Sequence, residues 1–526
     1  LMPRLSPGFS GLVPLGLSLF SGLLLSAAFP RPEIWPLIFV GLVPVVLAGR
    51  KGGLKTCFGL GYAAGLTHAV TLLYWIFNVL ITYGRLPVWL AGPIFLLLVG
   101  YLALYLGLFT LGLSLAERQL GLIPGGPAWI IVGAALYTGL EYFKGFFLTG
   151  FPWEPLGAAL VPALSLIQLS DIVGPGGLTF LVATVNLSLT ALVFRVRPGA
   201  RWKVFLTPAA MIAVSLGLLW GYGSYRLEAM VNETTGSKGR EAAVIQGSID
   251  QDVKWDADHR VPILMTYRDL TLEAAQDRPW LIVWPETAAP FFFPQDEAAA
   301  DWLTRLVKQA RRPLLFGSPS YEEHGAETTY FNRAFLLDGR GGILGYYDKV
   351  HLVPYGEYVP LKRFFPFLGK ITEAVGDYSS GQPGKLLDLN GEKIGVLICY
   401  ESIFPELARG HVRKGADYLV VITNDAWFGR SSAPYQHFAQ AVLRAVETRR
   451  TVIRAANTGI SGVIWPTGQT KNRLELFKRG ILTAPVPRVR EQTFYAAAGD
   501  LVPRTCLGIT AVVLAMGWYR RRKNAD

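Results

Sequence analysis

Lys393-Ile-Gly-Val-Leu-Ile-Cys-Tyr-Glu-Ser402 is the stretch around which the chain reads as organised. Ile394 to Ile398 form an apolar run of strand length, and Cys399 follows at its end, ahead of the polar pair Tyr400 and Glu401. A strand that breaks at a cysteine fixes its backbone at the rim of a sheet and leaves the sulfur within reach of a ligand. A cysteine after an apolar run is, by itself, more often a small packing residue. The surrounding chain decides between the two.

Elsewhere in the second half, apolar runs of strand length recur at 242–246, 280–284, 313–316, 334–337 and 418–422. Helical spacing is found at 298–311 and 436–449, the latter with Phe438, Val442, Ala445 and Val446 on one side. Strands alternating with helices predict an α/β domain. The first 220 residues are different. The chain as a whole is 51% hydrophobic and only 17% charged, against about 25% charged for a soluble protein, and the apolar excess lies before Trp220. This asymmetry predicts a membrane region joined to a soluble domain.

Eight apolar segments are expected to cross a bilayer: 9–29, 35–49, 54–83, 87–115, 128–142, 164–194, 204–222 and 506–519. Leu25-Ser-Ala-Ala28 resembles a cleavage site, but the long apolar run before it reads better as an uncleaved anchor. Basic residues fall on alternate sides of these segments. Arg50, Lys51, Lys55, Arg118, Arg195, Arg197, Arg201, Lys203 and the tail Arg520-Arg-Arg-Lys523 lie on one side, and the short loops of the other carry few, Arg31 in one and Arg85 in the next. By the positive-inside rule both termini are cytoplasmic and the α/β domain is extracytoplasmic. The expected boundaries are 1–225 for seven helices, 226–500 for the catalytic domain, and 501–526 for the eighth helix with its basic tail. The net charge of +12 is then topological. No dense basic-aromatic stripe calls for nucleic acid, and no metal-ligand spacing or nucleotide loop is present, so neither metal nor cofactor is expected. Three cysteines, Cys57, Cys399 and Cys506, make no disulfide framework.

Two further strand ends carry chemistry. Val283-Trp-Pro-Glu286 places a carboxylate after a strand, with Pro285 stopping regular pairing. Tyr346-Tyr-Asp-Lys-Val-His351 places Lys349 in a polar-aromatic stretch. A carboxylate can deprotonate a thiol and later an attacking amine, and an ammonium can favour the thiolate and stabilise an oxyanion. A Cys-His pair is the rival arrangement. Of the six histidines, only His351 lies near a candidate site in the sequence, and it reads as a satisfied polar side chain. His437, Asn424, Asp425 and Trp427 are expected to shape the pocket or support the sheet. Asp171 and Asn186 in the sixth span, and Glu141 and Lys144 ending the fifth, are intramembrane candidates, with helix-to-helix hydrogen bonding as the competing reading.

This trio resembles the carbon-nitrogen hydrolase (nitrilase) superfamily, in which a Glu-Lys-Cys triad sits in an α-β-β-α sandwich. The words around it match too: Val283-Trp-Pro-Glu-Thr287, Lys349-Val-His-Leu-Val-Pro-Tyr-Gly-Glu-Tyr358, Cys399-Tyr-Glu-Ser402, Asn424-Asp-Ala-Trp-Phe-Gly429 and Arg454-Ala-Ala-Asn-Thr-Gly-Ile-Ser461. With Thr149-Gly-Phe-Pro-Trp153, Gln246-Gly-Ser-Ile249 and the eight spans, the chain is similar along its length to the apolipoprotein N-acyltransferase family. That resemblance implies transfer of an acyl chain from a phospholipid, typically phosphatidylethanolamine, through a cysteine thioester. The acceptor is the α-amino group of the diacylglyceryl-cysteine that begins an apolipoprotein, in the bacterial inner membrane. It implies Cys399 as nucleophile, Glu286 as general base and Lys349 as oxyanion stabiliser, with Glu357 a further essential carboxylate. Tyr400 and Glu401 would line the site, and Trp255 would lie near donor or acceptor. The aromatic-basic stretch Leu361-Lys-Arg-Phe-Phe-Pro-Phe-Leu368, with Phe364 and Phe365, could enter the interface and meet lipid. Phe291-Phe-Phe293 could form a second apolar wall. The enzyme is expected to act as a monomer. The alternatives are a membrane-anchored amidase acting on a small amide, or a transporter or lipid-binding module carrying a degenerate hydrolase domain.

Overall fold

The computed structural model describes residues 12–196, 202–236, 240–325, 327–358 and 377–523. The stretch 361–368, with Phe364 and Phe365, lies outside the described residues. The chain forms two compact units: Leu1–Asn78, Pro87–Leu227 and Asp500–Asp526 in one, Val79–Leu86 and Glu228–Gly499 in the other.

The first unit is helical: α1 (Leu12–Ala27), α2 (Val43–Gly49), α3 (Leu54–Thr82), α4 (Val88–Arg118), α5 (Pro127–Lys144), α6 (Leu164–Ile167), α7 (Ser170–Arg195), α8 (Lys203–Gly217) and α15 (Leu501–Lys523), while α9 (Gly223–Gly236) begins in it and runs on into the second from Glu228. Small residues let these helices approach closely. A Cβ on Gly61 would stand 2.5 Å from the Leu106 carbonyl oxygen, and one on Gly139 2.7 Å from that of Cys506. Helices in lipid gain contact in this way, since apolar burial alone does not drive them together there.

Among the described residues, five stretches of helix are long and apolar enough to span a bilayer: Leu54–Thr82, Val88–Arg118, Ser170–Arg195, Lys203–Thr234 and Leu501–Lys523. The other expected spans differ. Segment 35–49 splits into a 3₁₀ turn, Trp35–Phe39, and α2, with Pro36 and Pro44 near their starts. α1 is a shorter apolar helix. Segment 164–194 is also broken, because α6 ends at Ile167 and Gly174 within α7 adopts φ +66° ahead of Pro175.

The polar residues of this unit make inter-element ties. Asn186 accepts from the Leu42 amide at 2.9 Å and donates to the Ile38 carbonyl at 2.8 Å. Asp171 takes the Tyr222 hydroxyl at 2.9 Å and Arg226 at 3.1 Å. Glu141 accepts from the Leu156 amide and the Thr179 hydroxyl at 2.7 and 2.6 Å.

The second unit is a sandwich of two six-stranded sheets. One has the order β12 (Gly480–Val486), β1 (Arg240–Gln246), β2 (Leu281–Val283), β3 (Leu314–His324), β4 (Glu327–Leu337), β5 (Ile343–Asp348). The other runs β11 (Thr470–Leu474), β10 (Ser461–Ile464), β9 (Thr451–Ala456), β8 (Tyr418–Thr423), β7 (Glu392–Ile398), β6 (Leu386–Leu389). Each has three parallel strands, β1-β2-β3 and β7-β8-β9, with antiparallel strands beside them. The two-residue alternation of a strand sorts the core. Ala242, Val244, Leu281 and Val283 meet Ile394, Val396, Ile398, Val420 and Ile422 between the sheets. Ala243, Ile245, Ile282 and Trp284 face the other way, onto Ile263, Leu264, Tyr267, Leu303 and Leu306 of α10 (Ala257–Ala274) and α11 (Glu297–Ala310). α12 (Pro405–Arg413) and α13 (Ala433–Thr448) pack on the second sheet, and α14 (Phe494–Ala498) follows β12. Gly395 in β7 has a specific reason: a Cβ there would lie 2.6 Å from that of His411 in α12. The layers are therefore α-β-β-α.

Phe291 and Phe293 are not an apolar wall open to a ligand. Both are buried in the core against α10 and α11, and Phe293 meets Phe316 and Phe335 edge-on.

Candidate active site

The candidate residues emerge where strands end, as in other parallel sheets whose ligands bind beyond the carboxyl ends. Glu286 lies three residues past β2, Cys399 immediately past β7, and Lys349 immediately past β5. Asn424 and Asn457 lie immediately past β8 and β9. Cys399 opens a 3₁₀ turn, Cys399–Ile403, and has φ +54°. A non-glycine residue in the left-handed region is uncommon and costs conformational energy, so the surroundings must enforce it.

Glu401 is much of that enforcement. It is wholly buried. Its Oε2 accepts from the Ile398 amide at 2.7 Å. Its Oε1 accepts from the amides of Val350 and His351 at 2.6 and 3.1 Å and from the Tyr347 hydroxyl at 3.0 Å. The carboxylate thus pins the cysteine turn to the backbone just after Lys349. Burial lifts Glu401 to about 7, against the pull of the Ile398 and Val350 amides.

The three expected chemical groups do come together. Lys349 Nζ lies 3.6 Å from Glu286 Oε1 and 2.9 Å from Glu357 Oε1. Burial works against the Lys349 charge, but Glu357, Glu286 and Cys399 outweigh it and hold the ammonium well above its ordinary range. For Cys399 the balance runs the other way. Burial drives the thiol upward, Glu286 adds to this, and Lys349 only partly opposes it. The resting group is a thiol, so it needs a base before it can attack.

Glu286 is aimed by two groups beyond the triad. Asn332 in β4 donates from Nδ2 to Glu286 Oε1 and to Glu357 Oε1, both at 2.8 Å. The Asn424 amide donates to Glu286 Oε2 at 2.9 Å. Glu357 also takes the Val353 amide at 2.8 Å. Asn332 has no local signal in the sequence, since it sits within an antiparallel strand of ordinary composition.

Tyr400 packs its ring edge-on against Phe404 at 5.1 Å and tilted against His351 at 5.7 Å. Trp255 is about a third exposed, and its neighbour Lys254 is the residue drawn into the site. Lys254 is buried and donates to the Glu286 carbonyl at 3.2 Å and to Thr287 Oγ1. The histidine beside the cysteine is also different from the one expected on sequence proximity. His351 stacks on Phe404, while His437 of α13 reaches Cys399 from behind. Its Nε2 is 3.1 Å from the Cys399 carbonyl oxygen and 2.8 Å from Ser402 Oγ. Its Nδ1 is 3.0 Å from Asp425, which also binds Arg454 at 2.8 Å. Arg454 and His437 hold Asp425 at about 2 despite its burial. This His-Asp pair meets the backbone of Cys399, so it positions the turn.

The matched words also find their reasons. Asn457 exchanges both amide bonds with Ile249, at 2.9 and 2.7 Å, and donates to Asn424 Oδ1 at 3.0 Å. Ser461 donates to Gln246. The Gln246–Ile249 and Arg454–Ser461 segments are therefore one hydrogen-bonded unit that carries Asn424 to Glu286.

Residues 21–188 match the apolipoprotein N-acyltransferase N-terminal domain, and residues 241–495 match the carbon-nitrogen hydrolase family. An apolipoprotein N-acyltransferase of Geobacter metallireducens is 39% identical over 96% of this chain and 95% of its own. One from Chlorobaculum tepidum is 30% identical over 97% of each. Among solved structures, an amidase from Nesterenkonia sp. aligns with 48% of this chain and 91% of its own, at 24% identity and a TM-score of 0.37.

Proposed function

Because the chain belongs to the apolipoprotein N-acyltransferase family, we propose that it moves an acyl chain from a phospholipid to an apolipoprotein through Cys399. The observation that carries this reading is the joining of a buried Cys399 to Glu286 and Lys349 in one electrostatic cluster at the strand ends. Glu286 takes the thiol proton as sulfur attacks the ester carbonyl, and Lys349 stabilises the oxyanion. When the tetrahedral intermediate collapses, the proton passes to the departing lysophospholipid oxygen and a thioester remains. The α-amino group of a diacylglyceryl-cysteine then attacks, losing its proton to Glu286, and the amide product leaves the thiol restored. Glu357 holds Lys349, Glu401 holds the turn, and Tyr400 and Trp255 border the substrates. Phosphatidylethanolamine is the expected donor, with Phe364 and Phe365 on the loop that would meet it.

The proposed topology has seven spans in 1–225, an extracytoplasmic catalytic domain in 226–500, and an eighth span with a cytoplasmic tail in 501–526. Alternating basic loops support that orientation. In this reading the chain works in the inner membrane as a multi-pass monomer.

The test is incubation of the purified chain with labelled phosphatidylethanolamine, then a search for a hydroxylamine-sensitive acyl group on Cys399. Wild type should carry it, and Cys399→Ala and Glu286→Gln should not. An undiminished adduct in Cys399→Ala sinks the proposal. A thioester that turns over with water and small amides but never with a lipopeptide amine would point to an amidase instead.

A further inference from the structure

Helix α13 sends a second polar side chain to the cysteine turn besides His437, and the chemistry of the site does not use it. Arg444 stands about two turns beyond His437 on the same helix and is wholly buried, an uncommon setting for a guanidinium unless it is paired. Its Nη1 donates to the Ser402 and Ile403 carbonyls at 3.3 and 3.1 Å. Those two residues end the 3₁₀ turn Cys399–Ile403. A basic side chain on the last carbonyls of a helical turn is a favourable cap. At the other end of the turn, Glu401 holds the Ile398 amide. The turn is thus gripped by a carboxylate at its leading amide and by a guanidinium at its trailing carbonyls, with the left-handed Cys399 between them.

Arg444 is itself held. Glu447, one helical turn further on and equally buried, accepts from Arg444 Nη2 at 2.8 Å. Its Oε1 stands 2.6 Å from Nε, close in charge but out of line for a second hydrogen bond. Taking both charges out of water is expensive, and a buried pair of this kind often stabilises no more than apolar side chains of the same volume would. The pair is therefore a poor device for stability. It is a good device for geometry, because a planar guanidinium can meet two carbonyls with one edge while a carboxylate fixes another.

We propose that Arg444 is a positioning residue for the nucleophile: clamped by Glu447, it fixes the Ser402 and Ile403 carbonyls and so keeps the Cys399–Ile403 turn, with its left-handed cysteine, in place. The inference rests on the acyl-transfer reading only where acylation is measured.

The test removes both charges together, in the full chain in detergent. Arg444→Met combined with Glu447→Gln takes away the guanidinium without stranding a carboxylate, and should melt close to wild type. Arg444→Met alone leaves the Glu447 charge buried and should melt far lower. Although folded, the double variant should acylate Cys399 from labelled phosphatidylethanolamine at least about tenfold more slowly at saturating lipid, the equivalent of one hydrogen bond to a charged group. Its half-saturating lipid concentration should not change, because the lesion lies at the turn and not where lipid binds. Hydrogen exchange, which needs no lipid, should be faster in peptides spanning 398–404 and unaltered in those spanning 346–355. Gln440→Met is the control. Gln440 lies between His437 and Arg444 on α13 and is as buried as they are, but its amide nitrogen has no partner among the described residues. Rate and exchange should therefore stay as in wild type. A wild-type limiting rate in the folded double variant overturns the proposal. So does a raised half-saturating concentration in place of the slower rate, an equal slowing in Gln440→Met, or a double variant that melts as low as Arg444→Met. If wild type takes no acyl group from phospholipid, the acyl-transfer reading fails instead, and exchange at 398–404 decides whether Arg444 holds the turn.

Discussion

The sharpest structural expectation concerns Glu401, whose two oxygens do different work. Oε1 takes three donors, the Val350 and His351 amides and the Tyr347 hydroxyl, while Oε2 takes the Ile398 amide alone. Glu401→Gln can keep the carbonyl oxygen in the Oε1 position, which satisfies three of the four donors. Its NH₂ then faces the Ile398 N–H, so one buried donor loses its acceptor, at about 1–3 kcal/mol. Glu401→Ala deprives three backbone amides at once, and at the same rate per group that is at least about 3 kcal/mol before the lost side-chain packing is counted. Against a typical net stability of about 5–15 kcal/mol, the first variant should fold normally and the second should be marginal. Hydrogen exchange resolves the difference by location. In Glu401→Gln, peptides spanning 394–404 should exchange faster, while those spanning 346–355 stay protected. In Glu401→Ala both should open together. Equal exposure of the two segments in Glu401→Gln, or full protection in Glu401→Ala, would refute the division of labour between the oxygens. Activity should follow the first segment, because Ile398 directly precedes the cysteine.

Other consequences follow from single contacts. Burial depresses His411 in α12 to about 4, below its ordinary 6.5, so its folded form resists a proton that the unfolded chain accepts. Its contribution is complete above about 6.5 and is lost as pH falls toward about 4, a total of about 3 kcal/mol. Acid unfolding of His411→Met, followed by thermal melts at stepped pH, should be flatter across that window. Gly317→Ala would place a methyl 2.5 Å from the Thr287 nitrogen and 2.8 Å from the Glu286 Cα. The base must shift, and a drop in kcat with a stability cost of about 1–3 kcal/mol is expected, read from single-turnover acylation and thermal melts. Asn332→Leu frees both Glu286 and Glu357 from their shared donor, so thioester formation should slow by at least about tenfold, the equivalent of one hydrogen bond to a charged group.

The sheet strands and the strand-end positions of Glu286, Lys349 and Cys399 are legible because strand ends advertise themselves. A short apolar run followed by Pro285-Glu286 or Cys399 changes polarity abruptly, and three such breaks in one domain point to one rim. Periodicity also located α11 and α13. What escaped were residues whose role is conferred by pairing across the sandwich. Asn332 lies in β4, where alternation says which face a residue takes but not which carboxylates wait there. His437 sits 38 positions from Cys399; its pattern suggests a supporting role near the pocket, but not that it meets the Cys399 carbonyl while the nearer His351 stacks on Phe404. Lys254 was hidden beside the more conspicuous Trp255. In the helical unit, mean composition revealed apolar segments but not where Gly174-Pro175 would break one or where Pro36 and Pro44 would shorten another.

The two strained turns explain why so many hydrogen-bonding groups surround Glu286, Lys349 and Cys399. Cys399 and Thr287 both adopt left-handed φ, +54° and +45°, and each costs of order 1 kcal/mol or more. A thiol on a relaxed strand end would direct its side chain along the pleat, into the core between the sheets or onto the covering helix. The turned backbone holds it at the edge of that core, in the field of Glu286 and Lys349. That geometry survives only if every competing conformation loses more hydrogen bonds than it gains in backbone comfort. On the cysteine side Glu401, Ser402 and His437 supply the bonds, and on the base side Lys254, Asn332 and the Asn424 amide do so. Glu286 and Cys399 themselves follow strands of different sheets, β2 and β7, so the distance between base and thiol is governed by the packing of Val283 against Ile398 and Ile422 in the shared core. Truncating that core should therefore slow thiol activation before it unfolds the domain. Val283→Ala, far from any substrate contact, is the case in which a falling alkylation rate at unchanged pH midpoint would reveal it.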